Sequence, residues 1–244
     1  MIRFAPLITI YNLEAASDVV NEVIWSFSSS LKGISSVRQR FNIHIVDNIS
    51  SERHFLEGSI KSVWKYFPVG LILDKSKEEQ KGILLDLIVD SFLSVSKFLD
   101  WDSKLIMSAK KQALGNKLQF HHESKPIYYK TKDIKASIEL ELTENKVSMW
   151  VVFYRKNIDK PLRIHLLDTH ESEISFFGKF KSPLWINSNQ FGFKLDDGVS
   201  LSIDYKSKKI VWTGTDSKIG ELLMKQVNYD YKLTSEEYAR LANW

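Results

Sequence analysis

The stretch IKASIELELTENKVSMWVVFY, residues 134–154, decides the fold. Ile134, Ala136, Ile138, Leu140 and Leu142 alternate with Lys135, Ser137, Glu139 and Glu141, the period of two that marks a half-buried strand. Glu144-Asn145-Lys146 then turns the chain. The returning run, Val147 to Tyr154, is apolar on both faces: Val147, Met149, Val151 and Phe153 oppose Trp150, Val152 and Tyr154. It therefore belongs in the middle of a sheet, with helices over at least part of one face.

Downstream, strands are expected over Leu162 to Leu167, Ile174 to Phe180, Phe191 to Leu195, Val199 to Tyr205 and Lys208 to Thr213. Asp197-Gly198 is the strongest hairpin signal, because a tight turn needs positive φ where glycine sits. Short turns between successive strands make an antiparallel meander of about six or seven strands. Asp216 caps a helix carrying Ile219, Leu222, Leu223 and Val227. Thr234 and Glu237 form a capping box before Tyr238 and Leu241.

Upstream the period is helical. Ser76 and Glu79 make a capping box for a helix reaching Leu99, whose wide apolar face holds Leu84, Leu85, Ile88, Phe92 and Val95 beside a polar stripe of Asp86, Asp90, Ser94 and Lys97. The apolar run is interrupted by those aspartates and is too short for a bilayer, so it reads as a core helix. Val20, Val23, Ile24, Phe27 and Leu31 mark another helix, as do Leu56, Ile60, Val63, Trp64 and Phe67, and a further one starts at Asp102 or Ser103 and ends at Gly115. Strands are expected only over Ile2 to Ile10, with Pro6 hinting at an edge, and Phe41 to Ile45. The expected fold class is α+β: a mostly helical N-terminal region (1–116), a basic connector (117–133), and an antiparallel sheet with C-terminal helices packing on it (134–244), as separate domains or one continuous one.

Composition is that of a globular protein, 43% hydrophobic and 26% charged over 244 residues. The absence of cysteine excludes disulfides and thiolate metal sites and fits a reducing compartment. With no export signal read at Met1 to Tyr11, a cytoplasmic location is expected. Charge is uneven. Between Trp101 and Lys135, eight lysines face only Asp102, Glu123 and Asp133, a local surplus of +5 against +4 for the whole chain. Lys110, Lys111, Lys117, Lys125 and Lys130, with the interleaved aromatics Phe120, Tyr128 and Tyr129, are therefore the expected partner-binding residues. Trp185, after Pro183, is expected as a further anchor.

Catalytic motifs are missing: no phosphate-binding glycine loop, Gly-x-Ser-x-Gly or His-Glu-x-x-His occurs. His165, Asp168, His170 and Glu171 carry metal-ligating groups, but with His165 on a strand and the rest in the following turn their convergence is not forced. His121-His122-Glu123 falls in the connector and reads as a solvated loop. Asp133 with Glu144-Asn145-Lys146 formally matches the carboxylates and lysine of a metal-dependent nuclease, although the last three read as turn residues. No metal and no cofactor are expected. By elimination the sequence reads as a non-catalytic protein-binding module, immunity-like in profile, that neutralises a toxin bearing an acidic patch. A nucleic-acid binder using the basic connector is the rival and the nuclease a third reading; no membrane partner is expected.

Overall fold

The computed structural model describes residues 7–13, 17–31, 40–46, 48–131, 133–143, 146–170, 182–194 and 198–214, with 221 and 225. The chain divides into two compact units, Arg3–Phe120 and, from His121 onward, a second.

The first unit runs β1 (Leu7–Tyr11), α1 (Ser17–Ser30), β2 (Arg40–Val46), β3 (Arg53–Phe55), β4 (Ile60–Tyr66), the single turn α2 (Gly70–Leu73), α3 (Lys77–Leu99) and α4 (Ser103–Gly115). Its sheet has the order β1-β2-β4-β3, with β1 and β4 parallel to β2 and β3 antiparallel to β4. The capping box forms: the Ser76 hydroxyl accepts from Glu79 N, and the Glu79 carboxylate accepts from Ser76 N at 3.0 Å. Leu84, Leu85, Ile88, Phe92 and Val95 are fully buried. The Phe92 ring centre lies 4.1 Å from Phe41 of β2, 5.4 Å from Phe27 of α1 and 5.5 Å from Trp101. A buried ion pair, Lys81 to Glu22 at 2.8 Å, ties α3 to α1.

The fold class expected from sequence needs correction. The chain does combine helix with antiparallel sheet, but strand exceeds helix among the described residues, 41% to 31%, and the N-terminal half is not mostly helical. The decisive error lies at Leu56 to Phe67, expected as a helix and observed as strand β4. Val63 and Lys61 point toward the helices and are buried. Lys61 reaches this position because its ammonium group donates to the carbonyls of Leu56 at 2.5 Å and Gly58 at 2.8 Å. Ile60, Trp64 and Tyr66 occupy the other row. With a lysine inside and aromatics outside, the usual strand alternation is inverted, and Ile60, Val63, Trp64 and Phe67 imitate a helical stripe.

The second unit holds β5 (Phe120–Glu123), β6 (Ile127–Tyr128), β7 (Ile134–Thr143), β8 (Lys146–Arg155), β9 (Leu162–His170), β10 (Leu184–Trp185), β11 (Gln190–Lys194), β12 (Ser200–Asp204) and β13 (Lys209–Thr213). The expected single meander is two sheets, β5-β7-β8-β9 with β6 also on β7, and β10-β11-β12-β13. The expected connector is mostly built into the first of these, since 120–128 runs along β7 as two short strands, and the break contains Pro126, which has no N–H for the ladder. Gly198 adopts φ +77° in the link between β11 and β12, as the hairpin signal requires. The C-terminal helices and the strand at Ile174 to Phe180 lie outside the described residues.

Phe92→Ala should destabilise the protein by about 3–5 kcal/mol, because three aromatic neighbours lose their common contact. Urea denaturation followed by tryptophan fluorescence measures it, and a loss under 1 kcal/mol would contradict the packing described.

Candidate functional site: a basic cleft where four turns meet

Strand lengths in the second unit bring four connections together. The segment before β7 contributes Tyr129, Thr131 and Asp133, and the β8–β9 turn contributes Arg155 to Ile158. The β10–β11 turn adds Ser188 and Asn189, and the β12–β13 turn adds Tyr205 and Lys206. They border an open cleft of about 720 Å³, within the roughly 300–1,000 Å³ range of ligand sites. Each turn is held by its backbone. Lys156 N donates to Asp133 O at 2.9 Å, Ile158 N to Arg155 O at 3.2 Å and Tyr205 N to Asn189 O at 2.9 Å. Asn157 adopts φ +64° to close the β8–β9 turn.

Tyr129 and Tyr205 line the cleft and are backed by an aromatic cluster. Trp185 meets Tyr129 edge-on at 5.2 Å and Phe191 at 5.3 Å, with Phe153 and Tyr205 completing the cluster, and its indole N–H donates to Ile127 O at 3.0 Å. The charge is uneven: Arg155, Lys156 and Lys206 line the cleft against the single carboxylate of Asp133. Arg155 lies 5.2 Å over the Tyr205 ring, and none of the three cations is in an ion pair among the described residues. Asp204, beside Lys206, is occupied by its own turn. It accepts from Ser207 N at 2.8 Å and Lys206 N at 3.1 Å, and those bonds, that of Ser207 first, lower its pKa.

On the solvent face of β7, β8 and β9 the carboxylates are all bonded to cations, and Lys135 stands over rings, those of Tyr128 and Tyr154. Arg163 donates to Glu139 at 2.5 Å and Glu141 at 2.7 Å while stacking 3.8 Å over Trp150, and His121 also bonds Glu139. Asp168 bonds His165 at 2.8 Å and Lys146 at 3.3 Å. Residues 165 and 168 would face opposite ways on a regular strand. They share a face because Trp150 pairs with His165 while Met149 pairs with Leu167, leaving Leu166 as an extra residue in a bulge. Burial pushes the Glu139 and Asp168 carboxyls up. For Glu139 the hydrogen bonds and charges of Arg163 and His121 outweigh it, for Asp168 those of Ser148, His165 and Lys146, and both sit below their ordinary range. These acids are held ionised, the opposite of a poised general acid.

No protein family, curated protein or solved structure matches the chain. The cleft therefore rests on its own geometry.

The expected partner-binding residues do not form one patch. Lys110, Lys111 and Lys117 belong to the first unit, where Lys110 pairs with Asp86 at 2.7 Å. Lys125, Tyr128, Tyr129 and Lys130 belong to the second, and only Tyr129 lines the cleft, with Trp185 behind it. Phe120 is buried edge-on against Trp25 at 5.1 Å. Trp185, expected as a free anchor, already donates its N–H internally. The nuclease constellation does not assemble: Asp133 and Lys146 lie at opposite ends of the ten-residue strand β7, about 30 Å apart, and Glu144 lies outside the described residues. His121, Glu139 and Glu141 place potential metal-ligating atoms within 4.8 Å of one another, but Arg163 already fills the position between the two glutamates. Of the other metal candidates, Asp168 is on β9 rather than in a turn, Glu171 is outside the described residues, and His170 is placed only by its backbone. Sequence reading missed Arg155, Lys156, Tyr205 and Lys206, whose local signal is only that of solvated turns.

The depressed Glu139 and Asp168 pKa values mean that the unfolded chain binds more protons than the folded one between the folded and unfolded values. Their stabilisation is complete above the unfolded carboxylate range of about 4 and is lost as pH falls through the lower folded values. Arg163→Met should remove the larger part of the Glu139 share and leave that of His121, so stability below about pH 4.5 falls less steeply than in wild type. Urea midpoints from pH 7 to 3 measure the difference, and identical slopes would show that Arg163 does not hold Glu139.

Proposed function

We propose that the protein is a non-catalytic, cytoplasmic binding module that captures an acidic segment of a partner protein in the cleft bounded by Tyr129, Arg155, Lys156 and Lys206. The observation carrying this reading is the contrast between two polar regions of one unit. The carboxylates of the β7–β9 face are bonded to cations on that face, whereas the cations of the cleft form no ion pair among the described residues and stand beside the rings of Tyr129 and Tyr205. Unpaired cations over aromatic side chains are the combination that recognises a carboxylate-rich, partly apolar segment. Neutralisation of a delivered toxin by direct binding is the specific form of this role suggested by a cysteine-free chain with no catalytic motif.

Arginine and lysine in turns act first on encounter: long-range attraction raises the association rate, and aromatic contacts then slow dissociation. The partner should be isolated on the immobilised full-length chain from native lysate and then purified. Reversing Arg155, Lys156 and Lys206 to Glu together should cut its association rate at least about tenfold at low salt and flatten the salt dependence. An acidic oligo-glutamate peptide should compete. A variant that keeps its circular dichroism and still associates at the wild-type rate would refute the cleft as the docking site.

A further inference from the structure

The first unit carries a different surface. On the face of its sheet turned away from α1 and α3 the register sets Tyr11, His44 and Trp64 side by side across β1, β2 and β4. Their rings form one stack. Tyr11 lies on His44 at 4.6 Å and 5°, and His44 on Trp64 at 4.6 Å and 8°. Burial holds His44 below the ordinary imidazole range, so its ring stacks uncharged. The same face continues through Arg40, opposite Ile60, and through Arg53 and Phe55, opposite Trp64 and Ser62.

Two features set this face apart from an ordinary solvated surface. Tyr11, Phe55, Ile60 and Tyr66 are 42%, 49%, 41% and 55% exposed on one face of the sheet, and exposed apolar groups gathered on one face mark a binding surface. None of the described strand residues facing this side is acidic, and Arg40 and Arg53 stand exposed with no ion pair among the described residues. A sheet of parallel strands ordinarily has both faces covered. Here one face meets α1 and α3 through Phe41 and Phe92, while the described residues of the other offer a ring stack ending at Tyr11, two cations and no negative charge.

We propose that this face binds single-stranded nucleic acid, with bases extending the ring stack at Tyr11 on the edge strand and Arg40 and Arg53 taking phosphates. Every base has a π-face, so an aromatic platform with uncompensated arginines suits a single strand of any sequence. A duplex hides its base faces, and an acidic protein segment would use the arginines while leaving the stack idle.

The test uses the full-length chain and fluorescein-labelled mixed-sequence single strands of DNA and RNA about 12 nucleotides long, with the same sequence as a duplex and with poly-glutamate as controls. At about 50 mM salt the single strands should bind, quench tryptophan emission and resist equal charge concentrations of poly-glutamate; DNA against RNA reports whether the 2′-hydroxyl matters. Tyr11→Ala should weaken binding about 5- to 100-fold, and Arg40→Glu with Arg53→Glu should lower the slope of log affinity on log salt by about two. Both arginines are exposed, so that variant reports even if a ring substitution perturbs the sheet. No single-strand binding, equal affinity for the duplex, displacement by poly-glutamate, or wild-type affinity in both variants would overturn the proposal.

Discussion

A strand in a layered fold has two rows of side chains, and a helical layer can cover only one of them. In the first unit α3 fixes which row that is: Phe92 takes the centre, and Phe41, Ile43 and Val63 are driven to meet the helical layer, all fully buried. Everything on the alternate positions is thereby assigned to the outside, whatever its chemistry. Tyr11, His44 and Trp64 are neighbours because the parallel register aligns them once the inner row is fixed. In the second unit the same constraint sorts Ile138 and Leu140 from Glu139 and Glu141 on β7. The difference between the units lies in what the outer row holds: on β7, β8 and β9 its carboxylates are bonded to cations, and on β1, β2 and β4 it has no carboxylate.

That difference also governs what could be read from the chain alone. α3 was legible because its apolar face, its capping box and its length agree, and β7 and β8 because alternation and turn chemistry agree. β4 was not, since its buried row includes Lys61, stabilised by two carbonyls from the preceding turn, and its outer row includes Trp64 and Tyr66. Local pattern and tertiary environment conflict there, as they do where a surface is kept for something other than solubility. The connector was misread for a different reason: β5 and β6 are too short to show a period, and only their pairing with β7 makes them strands.

The cleft illustrates the limit that distance along the chain imposes. Tyr129, Arg155 and Lys206 lie on separate turns, and no spacing rule relates them. What unites them is that the strands of two sheets end together, leaving Arg155 against Tyr205. The lysine surplus between Trp101 and Lys135 was a real feature of sequence, yet the fold divides it between two units, so its density along the chain does not carry over into density in space.

The bulge at Leu166 carries a consequence for how this chain can vary. Leu166 and Leu167 are both buried, and the residue they add returns Asp168 to the face of His165. Losing either leucine would remove the bulge and restore the strict period of two, with His165 and Asp168 two positions apart and still on one face, whereas losing both would make them neighbours on opposite faces. The extra residue can therefore be lost in descent without separating this pair, and a single apolar residue between His165 and Asp168 is the least that keeps them together.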